Sequence, residues 1–270
     1  LPSLEISEVR VSPGFMIFSI SENSQNSLSV FRKLAPESEI LDQDLNDFKN
    51  SYFWNVSGSG LFSASLGLRF NKEDGTQAHN PTLRLGFSFY QGQALNANLN
   101  KETRTAYDTL VSGQTGETII RDSVSYRSIN MNYRTTQLHF DASLIWRTNF
   151  DSHWMVFGGV GIEAGGSFNN RISIVEEQNG YGHYDYRNYR DNVINEERFA
   201  GKSGFAGSIY LPMGVDLRLG NKGFWGAISF TNEFRTGLTL TNISELGNYI
   251  RPSLAAVHDT TLTMPTLCAC

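Results

Sequence analysis

Apolar and polar side chains alternate along six segments of the chain, and the alternation is strict in residues 82–90. One face of that segment carries Leu83, Leu85, Phe87 and Phe89, and the other carries Arg84, Gly86, Ser88 and Tyr90. Alternation of period two predicts a β-strand whose faces meet different surroundings. The pattern recurs in residues 61–70, 137–147, 154–165, 209–219 and 224–240. Residues 9–20 and 249–264 alternate more weakly, and with them eight strands are predicted.

The connections between the predicted strands alternate in length. Short ones cover residues 71–80, 148–153 and 220–223, and long ones cover residues 21–50, 91–136 and 169–204. Bacterial outer-membrane barrels have short periplasmic turns at one end and longer extracellular loops at the other. The predicted fold class is therefore all-β, a closed antiparallel up-and-down transmembrane β-barrel. It forms one domain over residues 1–270, with extracellular loops at 91–136 and 169–204 and a C-terminal tail at 265–270.

The polar face of the predicted strands indicates which side of the barrel meets lipid. It is rich in glycine and serine and carries charges of both signs, whereas a face exposed to water normally carries lysine and glutamate. A crowded lumen, in which opposite charges neutralise one another, fits this composition. The predicted lumen charge network consists of Arg69, Arg84, His139, Asp141, Arg147, Glu163, Asp216, Arg218, Glu233 and Arg235. The alternative is a soluble barrel or sandwich with its apolar face inside.

Aromatic residues flank the predicted short turns. Indole rings favour the headgroup level of a bilayer, so these residues predict an aromatic girdle at the lower interface. The girdle residues are Phe70, Trp146, Trp154, Phe224 and Trp225, with Phe224 and Trp225 on opposite faces of one strand. Candidates for an upper girdle are Phe87, Phe89 and Tyr90. In the soluble alternative the same aromatic rings would be core residues.

Composition narrows the function classes. Only 18% of the residues are charged, against about 25% in ordinary soluble domains. The net charge is -5 without a basic block, so no nucleic-acid partner is expected. The sequence contains no run of about 18 apolar residues, so no membrane-spanning helix is predicted. Residues 1–4 lack the basic start and apolar core of a signal peptide, so the chain is expected to be either unexported or already processed.

The six alternating segments, over about residues 52–240, resemble the small outer-membrane barrels of Gram-negative bacteria, the OmpA/OmpX type. The resemblance is architectural and rests on no short motif. It implies an eight-stranded, signal-processed barrel, inserted by the outer-membrane assembly machinery, with a polar and largely plugged lumen. Such barrels usually end in an aromatic residue, whereas this chain ends in Thr-Leu-Cys-Ala-Cys. Either this terminus is atypical or the final segment is not the closing strand.

The long first connection contains a helical insertion at residues 27–48. Ser27 can cap a helix with Leu28, Phe31 and Leu34 on one face, and a second short amphipathic segment follows Pro36. An extracellular cap over the barrel mouth is one interpretation, and an element that docks a partner is the other.

Tyrosine and arginine side chains in the third long connection are the binding candidates, because these residue types anchor protein and glycan contacts. The candidates are Tyr181, Tyr184, Tyr186, Arg187, Tyr189 and Arg190. The alternative is that the tyrosines pack on neighbouring loops.

Groups that could support chemistry are few. His139 and Asp141 share a lumen face and could act with Ser143, but a polar network without catalysis is favoured, and no catalytic residue is predicted. His183 with Asp185 is too small a group for a metal site. The terminal pair of cysteines, Cys268 and Cys270, could form a disulfide but lacks further metal ligands, so neither metal nor cofactor is predicted.

These observations predict a non-enzymatic protein of the bacterial outer membrane that acts through its extracellular loops as a structural or binding component. It could be an accessory subunit of a larger outer-membrane complex. The expected partners are outer-membrane lipid, lipopolysaccharide and other outer-membrane proteins. The alternatives are a channel or transporter for small solutes, and a barrel enzyme that acts on lipid or peptide.

Overall fold

The computed structural model describes residues 3–19, 24–50, 56–71, 81–111, 113–116, 118–148, 152–181, 192–220 and 223–263. Their strands are β1 (Ser3–Ser19), β2 (Lys49–Asn50), β3 (Val56–Asn71), β4 (Thr82–Val111), β5 (Thr118–Arg147), β6 (Trp154–Tyr181), β7 (Asn192–Ala200), β8 (Gly204–Arg218), β9 (Ile228–Ile243) and β10 (Gly247–Thr263). Their helices are α1 (Ser24–Leu34), α2 (Glu39–Asp42) and α3 (Gly223–Ala227). None of these helices is long and apolar enough to cross a membrane.

Eight of these strands close into an antiparallel ring. The order is β1, β3, β4, β5, β6, β8, β9 and β10, and β10 pairs back onto β1 with Thr263 opposite Glu8. The predicted eight-stranded up-and-down barrel is thereby confirmed, and β10 is its closing strand. Closure gives every ring strand a hydrogen-bonding neighbour on both sides.

The apolar face of the ring strands points outward, and the polar face points inward. Phe87 and Ile209 on the outside are 59% and 69% exposed, whereas Arg84 and Glu233 on the inside are 3% and 1% exposed. A soluble barrel has the opposite arrangement, because it buries its apolar face.

Three strands continue beyond the ring, where the sequence predicts long loops. β4 and β5 extend as a hairpin through much of residues 91–136, and β6 continues past residue 169 to pair with β7. The sequence predicts loops in these stretches because the outward positions become polar there and the barrel-type alternation ends. The upper sheet has the order β2, β4, β5, β6 and β7, and we call it, together with α1 and α2, the head.

The predicted helical insertion is present and covers the inner face of the head. α1 begins at Ser24 rather than after Ser27, and Ser38 caps α2 by accepting a hydrogen bond from the Leu41 amide at 3.2 Å. Both helices join a buried apolar cluster that includes Phe31, Leu34, Ile40, Leu41, Leu95, Leu99, Ile129, Met131, Tyr133, Ile172, Ile174 and Ile243. Burial raises the pKa of Tyr133 to about 12, so its hydroxyl stays neutral. Because Ile243 ends β9 on the rim of the ring, the helices lie over the barrel mouth.

The connection after β8 differs from the prediction. The backbone of residues 224–227 belongs to α3, so β9 begins at Ile228. A helical turn interrupts the period-two alternation, and the side chains of Phe224 and Trp225 are both exposed, with ring centroids 5.6 Å apart. Their predicted placement on opposite faces of a strand is therefore wrong.

Candidate functional site

Arg10 of β1 lies at the centre of the lower half of the lumen, towards the short turns. Its side chain is buried, and its guanidinium contacts four carboxylates. The distances are 2.9 Å to Asp259, 3.2 Å to Asp216, and 3.4 Å to both Glu233 and Glu8. Buried carboxylates need such partners, because an unpaired charge away from water is costly. One cation cannot neutralise four anions, so further arginines are required.

Two more arginines enter the same cluster from β4 and β5. Arg84 contacts Glu8 at 3.0 Å and Glu233 at 2.8 Å. Arg147 contacts Glu8 at 2.7 Å and Asp216 at 3.0 Å. The three guanidiniums therefore share carboxylates, and the shared ion pairs connect strands that are not neighbours in the ring.

Arg235 of β9 extends the network towards the head. Its Nε donates a hydrogen bond to Glu233 at 2.8 Å, and its Nη1 donates to Asp141 and Glu163 at 3.2 Å each. Asp141 and Glu163 are cross-strand partners in β5 and β6, so their carboxylates lie side by side. The guanidinium offsets the repulsion between these two like charges.

Two tyrosines hydrogen-bond the same carboxylates. The Tyr90 hydroxyl donates to Glu163 at 2.5 Å, and the Tyr210 hydroxyl donates to Asp141 at 2.8 Å. Tyr90 is buried inside the ring, because it shares the inward face of β4 with Ser88. Its assignment to an upper aromatic girdle is therefore wrong, whereas Phe87 and Phe89 do point outward.

Most residues predicted for the lumen network lie in these clusters. They are Arg84, His139, Asp141, Arg147, Glu163, Asp216, Glu233 and Arg235. Arg69 and Arg218 are half-buried near the lower ends of β3 and β8. Arg218 makes no ion pair with the part of the chain that the structure describes.

The sequence-based prediction missed Glu8, Arg10 and Asp259. The spacing of two between Glu8 and Arg10 was a usable signal for a polar inward face. A register shift after Ile6 and a proline at position 13 obscure the alternation of β1 on either side of that pair.

The lumen above the charged clusters is filled by apolar residues. Met16, Phe18, Leu61, Tyr90, Ala255 and Val257 form a buried cluster inside the ring. The cavity lined by Met16, Phe18, His139 and Glu163 leaves no volume open to a water molecule. An eight-stranded ring is just wide enough for side chains to fill it.

His139 does not form the predicted pair with Asp141. Its Nδ1 lies 3.3 Å from Glu163 Oε2, and its ring centroid lies 4.9 Å from that of Tyr90. His139 and Ser143 are both buried, and no hydrogen bond joins them within the described ranges. A hydrolytic site needs a nucleophile within reach and access for its substrate, and these residues provide neither.

The polarity of both faces of β5 reverses near Thr135 and Thr136. Below this level the inward positions are Gln137, His139 and Asp141, and the outward positions are Leu138, Phe140, Ala142, Leu144 and Trp146. Above it the inward positions are Tyr133, Met131 and Ile129, and the outward positions are Arg134, Asn132 and Asn130. We call the outward apolar surface of the ring strands below this level the apolar band.

β-Bulges in the two flanking strands occur at the same level. The pairing of β4 with β5 shifts between Gln93 and Leu95, and the pairing of β6 with β5 shifts between Phe168 and Arg171. Asn169 in the second bulge has φ 50°, a left-handed conformation that asparagine tolerates better than most residues. Each extra residue moves the following side chains to the other face, which keeps the apolar residues of β4 and β6 on the inner side of the head.

Exposed aromatic residues lie at the short-turn end of the ring: Trp146, Trp154, Phe224 and Trp225. The side chains of Phe70 and Tyr181 lie outside the described residues, as do Tyr184, Tyr186, Arg187, Tyr189 and Arg190. His183, Asp185, Cys268 and Cys270 also lie outside them. Within the described ranges, no group of histidine, cysteine and carboxylate side chains is arranged to hold a metal ion.

Comparisons with known proteins assign no family to this chain. No protein-family model matches the chain, and no curated protein matches it. Among solved structures, the chain is similar to the crystal structure of Neisserial surface protein A (NspA), with 8% sequence identity and a TM-score of 0.38. The match covers 97% of this chain and 99% of NspA.

The head is held together at α2 by a carboxylate from β7. Glu197 Oε1 accepts hydrogen bonds from the Glu39 and Ile40 amides at 2.9 and 3.1 Å, and Glu197 Oε2 accepts one from the Ser38 hydroxyl. Amides in the first turn of a helix have no partner within the helix, so this carboxylate satisfies them. The contact joins the first long connection to the third.

Replacing Glu197 with alanine is expected to weaken the attachment of α2 by about 1–2 kcal/mol, since the amides lose a charged acceptor. Limited proteolysis should then cut residues 24–50 faster, while the unfolding midpoint of the ring stays unchanged. The control is Glu196→Ala on the outward side of the same strand, where the carboxylate is paired with the exposed Arg198. Equal cleavage rates in the two variants would contradict this role for Glu197.

Proposed function

We propose that this chain is a non-enzymatic β-barrel of the bacterial outer membrane, with a plugged polar lumen, that acts through its head as a structural or binding component. The observation that carries the proposal is the polarity reversal at Thr135 and Thr136. Below that level the outer surface is apolar over charged lumen residues, and above it the outer surface is polar over an apolar core. A lipid bilayer surface accounts for such a boundary within one strand.

The height of the apolar band supports insertion in a membrane. On β5 the band runs from Leu138 to Trp146. At about 3.4 Å per residue and a strand tilt of about 40°, it is roughly 20 Å tall. Outer-membrane barrels present an apolar band of about 25 Å. Trp146 and Trp154 lie at its lower limit, where indole rings favour the interface.

The filled lumen supports a structural or binding role over conduction. Its ion pairs and the apolar cluster above them occupy the space that a solute would need. The buried surroundings of His139 similarly support a non-enzymatic role. The head lies outside the apolar band and has its own apolar core. This arrangement suits contact with outer-membrane lipid, with lipopolysaccharide or with other outer-membrane proteins. An accessory subunit would make contacts of this kind.

In planar lipid bilayers the purified protein is expected to insert without stable open steps in conductance, because side chains fill the lumen. A general porin reconstituted in parallel serves as the positive control for insertion and detection. Reproducible open steps from this protein would favour the channel alternative and overturn the plugged lumen.

Detergent dependence tests the membrane assignment separately. The protein is expected to fractionate with outer membranes and to stay dispersed only in detergent. A chain that remains folded and monodisperse without detergent would contradict the proposal.

A further inference from the structure

Two arginines face each other on the outer surface of the head. Arg134 of β5 and Arg171 of β6 are directly opposed residues of an antiparallel pair, and both are exposed. Opposed residues of this kind have Cβ atoms about 5 Å apart, and like charges at that spacing repel each other. A negatively charged partner between the two guanidiniums would relieve this repulsion.

The described surroundings of the pair provide amides and no free carboxylate. Arg171 Nε donates to Asn169 Oδ1 at 3.3 Å, and Gln93 lies opposite Arg134 on β4. Neither guanidinium forms an ion pair with any described residue. Glu196 lines a cavity that both arginines also border, but its carboxylate is already paired with Arg198 at 2.7 Å.

The position of the pair relative to the apolar band selects the source of the anion. Phe168 lies opposite Thr136, one step below the arginines, and points outward with 44% of its surface exposed. Leu138 continues the apolar surface below it. A group bound between the arginines would thus lie immediately above the lipid-facing surface, at the level of lipid headgroups.

Both arginines border open cavities large enough for a headgroup. One cavity of about 550 Å³ is lined by Arg134 and Arg171 together with Gln91, Gln93 and Asn169. A second cavity of about 570 Å³ is lined by the same arginines with Asn132, Ser173, Glu196 and Arg198. Apart from Glu196, which Arg198 neutralises, the hydrogen-bonding side chains around these cavities are those that suit phosphate and sugar oxygens.

We propose that Arg134 and Arg171 bind the headgroup phosphate of an outer-leaflet lipid whose acyl chains lie against Phe168 and Leu138. Arginine suits this task, because its planar fork of donors matches phosphate oxygens in bidentate geometry. The bound phosphate would also relieve the repulsion between the two guanidiniums. The proposal rests on the membrane insertion proposed above and adds a specific lipid site to it.

The test uses the folded protein in phosphatidylcholine nanodiscs that contain either bisphosphorylated lipid A or the same lipid after enzymatic removal of its phosphates. Lipid retained through purification is measured by native mass spectrometry. The wild type is expected to retain the phosphorylated lipid and to lose the dephosphorylated one. The double variant Arg134→Gln with Arg171→Gln should reduce retention at least about tenfold, since two charge-assisted contacts are lost.

The control variant is Arg104→Gln, an exposed arginine on the same hairpin that is paired with Glu102. It should retain lipid as the wild type does. The proposed site would be wrong if the double variant retained as much lipid as the wild type, or if the wild type retained the phosphorylated and dephosphorylated lipids equally. Neither result would contradict membrane insertion. A competition experiment with inorganic phosphate distinguishes a lipid site from a site for free anions. Displacement of the lipid by millimolar phosphate would indicate a free-anion site and would overturn the proposal. Failure of the wild type to enter nanodiscs would instead refute the proposed function.

Discussion

Replacing Arg10 with alanine is expected to lower the free energy of unfolding of the barrel by about 3–5 kcal/mol. Arg10 is 1% exposed and contacts four carboxylates from four strands. Alanine would leave Asp259 and its neighbours buried with too few positive charges, which costs more than the loss of a surface ion pair. Urea unfolding in detergent micelles, followed by tryptophan fluorescence, measures the change.

A matched control comes from an arginine in an exposed pair. Arg104 contacts Glu102 at 2.5 Å with 67% of its side chain exposed, so Arg104→Ala should cost less than about 1 kcal/mol. Arg10→Lys keeps the charge but loses the planar fork, and an intermediate loss is expected. If Arg10→Ala and Arg104→Ala destabilise the barrel equally, the lumen network does not stabilise the ring as its geometry indicates.

Replacing Ile209 with arginine is expected to cost about 2–4 kcal/mol in lipid vesicles, because a charge would face the hydrocarbon. Ile209 is 69% exposed on the outer face of β8, between Ile162 and Leu238 of the adjacent strands. In a soluble protein, an exposed position of this kind would tolerate arginine within about 0.5 kcal/mol. Urea titration of the vesicle-inserted barrel measures the difference.

The matched substitution on the head is Val193→Arg. Val193 is 55% exposed on β7, above the polarity reversal, so this variant should change the free energy of unfolding by less than about 0.5 kcal/mol. A neutral effect of Ile209→Arg would contradict a lipid-facing band. A large effect at both positions would indicate that the substitution disturbs the sheets themselves.

The ring strands were predictable because, below the polarity reversal, their outward face meets one apolar environment while their inward face carries polar side chains. Leu138, Phe140 and Trp146 point outward, and His139 and Asp141 point inward, so Ile145 is the one exception to the period-two pattern in residues 137–147. Other exceptions occur where the backbone departs from the regular pleat. The helical turn at Phe224 and the register shift after Ile6 both hide a strand boundary from a period-two pattern.

The head was not predictable as a sheet, because the polarity of the two strand faces changes part-way along its strands. In β5 the reversal after Thr135 replaces an apolar outward face by Arg134, Asn132 and Asn130. In β6 the bulge at Asn169 also shifts the phase, so the segment loses its alternation relative to the ring. Both effects make extended strands resemble polar loops in the sequence.

The sequence by itself determined the ring strands, their two faces, the helical insertion and most of the charged residues that fill the lumen, because alternation is a local property of neighbouring positions. Only the tertiary structure decided which charges are partners, placed Arg10 among carboxylates far away in the chain, and brought Arg134 opposite Arg171. Those contacts depend on strand register, and register follows from ring closure and from single-residue bulges that leave little trace in composition.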